Sequence, residues 1–89
     1  MPLFAIRRKV PGATQTDLDA AGFRAINCAP WYDGLRWIRS FHDPGAEELL
    51  CYYEARDAEQ IRLHSERASI PCDDVIEVNE ILPDRYIHA

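Results

Sequence analysis

The sequence predicts a single α+β domain in the order β-α-β-β-α-β, and three observations point to it. Leu35 to Glu54 holds two runs, LRWIRSFH and ELLCYYE, with bulky and β-branched side chains in near alternation on either side of Asp43-Pro44-Gly45, the pattern of a β-hairpin. Before and after the hairpin come stretches that open on helix-start residues, each flanked on its outer side by a short alternating apolar run. At 89 residues the chain is too short for two cores, so residues 1–89 form one domain.

Taken in order, LFAIRRKV over residues 3–10 reads as the first strand, with Phe4 and Ile6 on one face and Leu3 and Ala5 on the other. Pro11-Gly12 ends it. A helix is expected over 16–28, capped by Thr14 or Thr16, with Asp17 and Asp19 placed well against its dipole. Phe23 and Ile26 mark one side of that helix, while Leu18 falls away from their stripe. Pro30 closes it, and Trp31-Tyr32-Asp33-Gly34 turns the chain into the hairpin. Asp57 with Gln60 three residues on gives a capping-box pattern for a second helix over 58–69, whose inward side is Ile61, His64, Ser65 and Ala68. Pro71 stops it, and DVIEVNEIL over 74–82 reads as the last strand, which Pro83 to Ala89 extends or carries toward a partner chain.

This order is the split βαβ, or ferredoxin-like, arrangement: a four-stranded antiparallel sheet with both helices on one face. The other face is left without cover. A small domain with a half-dry sheet gains from a second copy, so a homodimer closed as a dimeric α+β barrel is the expected assembly.

A net charge of -5 argues against a nucleic-acid partner, because that affinity comes from neutralising phosphates. No apolar run approaches the ~20 residues that span a bilayer, and the N-terminus lacks the order of a secretory signal, so no membrane association is expected. Three cysteines without a paired spacing fit free thiols in a reducing cytoplasm. Arg7-Arg8-Lys9 reads as sheet polarity and Glu59, Arg62, Glu66 and Arg67 as a solvated helix face.

Three segments, LRWIRSFH, CYYEARDAEQIRLH and HSERASIPCDDVIEV, together resemble a family of small bacterial ferredoxin-like domains that includes a nickel-binding protein. The specific marks are Arg36 to Ser40, Cys51 to Glu54, His64, Ala68, Pro71 and the strand Asp74 to Val78. The resemblance implies the same fold and nickel, or another divalent transition metal, as the bound species. It also implies a glycine where this chain has Ser69.

Two chemistries follow from the residues themselves. No CxxC, HxH or HExxH spacing is present, so a metal site has to be assembled from separate elements. The donors expected for it are His64, Cys51 and His42, with Glu54 and Cys72 in reserve; each also has an ordinary structural reading, as a hydrogen-bonded histidine, a small buried hydrophobe or a surface side chain. His88 reads as part of a disordered end.

The alternative is a small-molecule pocket. With equal register across the turn, Trp37, Arg39, Phe41, Cys51 and Tyr53 share one face, and Arg36, Ile38, Ser40, Tyr52 and Glu54 the other. Trp37, Arg39 and Tyr53 then line a chamber in which Arg39 holds an anionic or polar ligand, with Glu54 or His64 as acid or base. The same residue types suit a dimer interface equally well. Nothing marks a nucleophile elbow, phosphate loop or cofactor fingerprint, so an enzyme has no positive support in the sequence.

Overall fold

The computed structural model describes residues 1–87, so His88 lies outside the described residues. The elements come in the expected order: β1 (Leu3–Lys9), α1 (Gln15–Cys28), β2 (Arg36–Asp43), β3 (Glu48–Glu54), α2 (Ala58–Arg67) and β4 (Asp74–Val78). All four strands join one sheet in the order β2-β3-β1-β4, and every neighbouring pair is antiparallel. β3 thus separates the two strands that flank α1, which is the ferredoxin-like topology.

One face of this sheet is dry. Phe4 and Ile6 from β1 and Cys51 and Tyr53 from β3 pack with Ile61 of α2 into a buried cluster, as strand alternation and the inward side of α2 require. Each large apolar side chain buried this way contributes about 1.5–3 kcal/mol. His64, Ser65 and Ala68 are buried beside Ile61, as the spacing on α2 predicts.

α1 is seated differently from the sequence expectation. Phe23 and Ile26 are mostly exposed, and the buried residue of the helix is Ala25. The inward side is the narrow one, Leu18, Ala21, Gly22 and Ala25, because small residues let the helix axis approach the sheet closely; a Cβ on Gly22 would stand 3.5 Å from Trp37. Thr14 and Asp17 close a reciprocal capping box that fixes the start of α1.

α2 opens on Asp57, whose side chain accepts from the Gln60 backbone N–H at 2.9 Å. Gln60 is itself buried: its oxygen accepts from Arg56 N–H and its nitrogen donates to the Asp33 carbonyl, tying the turn before β2 to the helix start. The far end is a Schellman motif, with Ile70 N–H on the Ser65 carbonyl and Ser69 N–H on that of Glu66. Ser69 carries the left-handed backbone of that motif, at φ 56°. A side chain there costs about 1–2 kcal/mol. Ser69→Gly is therefore expected to stabilise the fold by about 0.5–1 kcal/mol, read as a higher urea midpoint with an unchanged slope.

Two strand details depart from expectation. β4 stops at Val78, not Leu82, because Val78 pairs with Leu3, and the residue before Leu3 is Pro2, which has no N–H to continue a ladder. Pro83–Arg85 forms a turn of 3₁₀ helix in place of more strand. In the hairpin, Trp37 pairs with Tyr53 but Arg39 pairs with Tyr52, so Ile38 is an extra residue, a β-bulge. Among the described residues no helix is long and apolar enough to cross a membrane.

Candidate functional site

The side chain that organises the covered face is Arg8. It follows Phe4 and Ile6 on the inward parity of β1, and it is 1% exposed. Its Nε donates to Cys51 Sγ at 3.4 Å, and its Nη1 donates to Ser65 Oγ at 2.9 Å and to the Pro71 carbonyl at 2.7 Å. The guanidinium therefore clamps β1, β3, α2 and the segment leading to β4. Its Nη2 is buried without a partner. None of the three acceptors is an acid, and among the described residues no carboxylate forms an ion pair with Arg8.

Tyr53 lies against this cation, with Arg8 Cζ 5.9 Å from its ring centroid. Burial pushes the Tyr53 phenol up to about 12, with the Arg8 charge pulling the other way, so it stays a protonated hydrogen-bond donor at neutral pH. Trp37 stacks with Tyr53 at 6.3 Å and donates its indole N–H to Ser40 Oγ.

His64 is the second buried polar group of the cluster. Its Nε2 sits 2.9 Å from the Ala25 carbonyl, which can only accept, so Nε2 carries the proton and Nδ1 is bare and unpartnered. The ring is wedged between Tyr53 at 5.6 Å and Tyr32 at 5.8 Å. Desolvation lowers its pKa from the ordinary histidine value; the bond to Ala25 opposes this and the nearby Arg8 charge adds to it.

Against this geometry the expected donors do not converge. His64 and Cys51 lie within the same core, but Cys51 already accepts from a guanidinium and His64 is committed to α1. His42 is exposed near the end of β2, and Glu54 is paired with Arg36 on the uncovered face. Among the described residues no three His, Cys, Asp or Glu side chains come together in a way that holds a metal ion. Cys28, Cys51 and Cys72 are free thiols.

The expected pocket is divided as well. The bulge at Ile38 reverses the parity of β2 beyond Trp37, so Trp37 and Tyr53 stay on the helix side while Arg39 and Phe41 join Tyr52 and Glu54 on the other. Two separate spaces result. Between α1 and the sheet lies a cleft of about 170 Å³ bordered by Arg8, Trp37, Cys51 and Tyr53. The uncovered face forms a broad concavity of about 870 Å³ that includes Arg36, Arg39, Phe41, Tyr52 and Glu54.

That uncovered face has an apolar centre with a charged border. Leu50, Tyr52, Phe41 and Ile76 lie across neighbouring strands, with Phe41 and Tyr52 edge to face at 6.3 Å. Arg7 pairs with Asp74 at 3.1 Å and Arg36 with Glu54, whereas Arg39 makes no ion pair among the described residues.

Comparison with known proteins gives the frame for these observations. The model of the family described as nickel responsive protein SCO4226-like matches residues 4–78, from β1 to the end of β4. The chain belongs to this family. The crystal structure of SCO4226 from Streptomyces coelicolor A3(2) superposes with a TM-score of 0.80 at 22% identity, covering 90% of this chain and 99% of that one. At that identity the likeness establishes the shared fold. No curated protein matches the chain.

The matched span of this nickel responsive protein-like member includes every expected donor but brings no donor set together within one chain. The buried pair His64 and Cys51 does not fit a nickel ion: a divalent cation there would sit beside an uncompensated guanidinium, and Cys51 Sγ already accepts from that guanidinium, although His64 Nδ1 is without a partner. Sequence reasoning missed Arg8, although its parity with Phe4 and Ile6 was the signal for it.

Proposed function

We propose that this member of the nickel responsive family works as a homodimer joined through the uncovered sheet face, and that the pair takes up nickel with donors from both copies. The observation that carries the reading is the face itself. Phe41, Leu50 and Ile76 are substantially exposed in the single chain, Tyr52 is only half-covered, and the border carries both signs of charge, which suits a self-complementary contact. Arg39 is free to meet a carboxylate of a second copy.

The nickel responsive description of the family, together with donor access, supports nickel as the metal. His42 is the exposed imidazole among the described residues; paired with Leu49 it takes the helix-side parity at the end of edge strand β2, so it meets a second copy around the strand edge, and imidazole with carboxylate is a suitable donor type. A cytoplasmic setting agrees with the three unpaired thiols.

Calorimetric titration of metal-free protein with nickel tests the proposal. Saturable uptake is expected, weakened at least tenfold both by His42→Ala and by Ile76→Asp, which places a charge on the joining face. Uptake indifferent to both substitutions, or none in the parent protein, contradicts it.

A further inference from the structure

The cleft under α1 contains a charge that the fold itself leaves unbalanced. Arg8 is 1% exposed, all its acceptors are neutral, and Nη2 has no partner. A guanidinium withdrawn from water is costly unless a counter-charge or a full set of acceptors replaces the solvent, and here neither does. Arg8 nevertheless borders an accessible space: a cleft of about 170 Å³ whose other walls are Trp37, Tyr53, Leu18, Leu49 and Ile70.

We infer that this cleft binds a small organic monocarboxylate, its carboxylate on Arg8 and its apolar body against Trp37. The anion supplies, at the cleft wall that Arg8 borders, the counter-charge that the fold does not. The size class follows from the volume, since an engineered cavity of about 150 Å³ accommodates benzene. A single ring bearing one carboxylate matches that space. Asp19, held by Gln15 at 2.8 Å, stands at the same cleft and opposes every anion there in proportion to its charge, so a monoanion is tolerated better than a phosphate or a dicarboxylate. The site is independent of the uncovered face, which lies on the opposite side of the sheet.

Benzoate titrated into the full chain tests this, with benzamide as its neutral isostere. Trp37 is the reporter, in a Trp31→Phe background that removes the exposed indole. Saturable quenching by benzoate is expected, with benzamide at least tenfold weaker. Gly22→Leu is the blocking variant: the first added carbon meets only ordinary contact with Trp37, at 3.5 Å, and the remainder of the side chain fills the cleft. It should weaken benzoate at least tenfold while circular dichroism stays unchanged. No saturable response, equal affinity for benzamide, equal displacement of benzoate by chloride, or full affinity in Gly22→Leu each overturns the inference.

Discussion

Arg8→Ala is expected to lower the stability of the fold by about 4 kcal/mol, a loss measured by urea denaturation at fixed protein concentration. The Pro71 carbonyl and Ser65 Oγ lose a charged donor at 2.7 and 2.9 Å, and an acceptor left unsatisfied in the core, as Ser65 Oγ is, costs about 1–3 kcal/mol. Removing the stem that packs against Tyr53 adds about 0.8 kcal/mol per buried methylene. Relief of the unbalanced charge and rehydration of the Pro71 carbonyl work in the opposite direction, but the fully buried Ser65 hydroxyl cannot turn to water and the packing of the stem is lost, so the net effect is a loss. For a domain of this size the midpoint of thermal unfolding falls by roughly 15–30 °C. Since small domains hold only about 5–15 kcal/mol in all, the variant sits close to its threshold. Arg8→Ala as stable as the parent protein would show that the clamp is not structural.

The second large effect is a pH dependence centred on His64. Its folded-state pKa is lowered, chiefly by desolvation, so the unfolded chain binds the proton more readily than the folded one. Stability on this account is full above the unfolded value of about 6.5 and falls as the pH drops through it, down to the folded pKa. The slope in that window approaches 1.4 kcal/mol per pH unit at most, since one proton is taken up on unfolding. His64→Phe keeps a ring between Tyr32 and Tyr53 but removes the titration, so the stability difference between the two proteins should be constant above pH 6.5 and shrink as the pH falls below it. It also loses the bond to the Ala25 carbonyl and therefore starts from a lower value at pH 8, by about 1–3 kcal/mol. Parallel stability curves for the parent and His64→Phe would place the acid sensitivity elsewhere.

Much of this fold was legible from residue spacing alone. Alternation placed Phe4 and Ile6 inward, the 3.6-residue period placed Ile61, His64, Ser65 and Ala68 on the buried side of α2, and Asp43-Pro44-Gly45 marked the hairpin. The left-handed end of α2 explains why a glycine is expected at Ser69.

The failures have physical causes. α1 approaches the sheet through Ala21, Gly22 and Ala25, and no hydrophobic stripe signals a contact made by small residues, whereas the apolar pair Phe23 and Ile26 that does stand out in the sequence faces outward. Ile38 resembles any strand residue; that it is extra depends on the pairing of β2 with β3, and this one insertion moved Arg39 away from Trp37 and Tyr53. Arg8 had the right parity to be buried but the wrong chemistry for a core, and a sequence cannot indicate that Ser65, Cys51 and the Pro71 carbonyl will gather around it.

The uncovered face is where a second chain matters. Ile76 is 53% exposed and outside the buried core, so a substitution there acts mainly on association. Sedimentation equilibrium of the metal-free protein at micromolar concentration tests that claim most directly. A species of twice the chain mass is predicted, reduced to a single chain by Ile76→Asp with the fold retained. A parent protein that sediments as one chain, or an Ile76→Asp variant that still sediments as two, contradicts it.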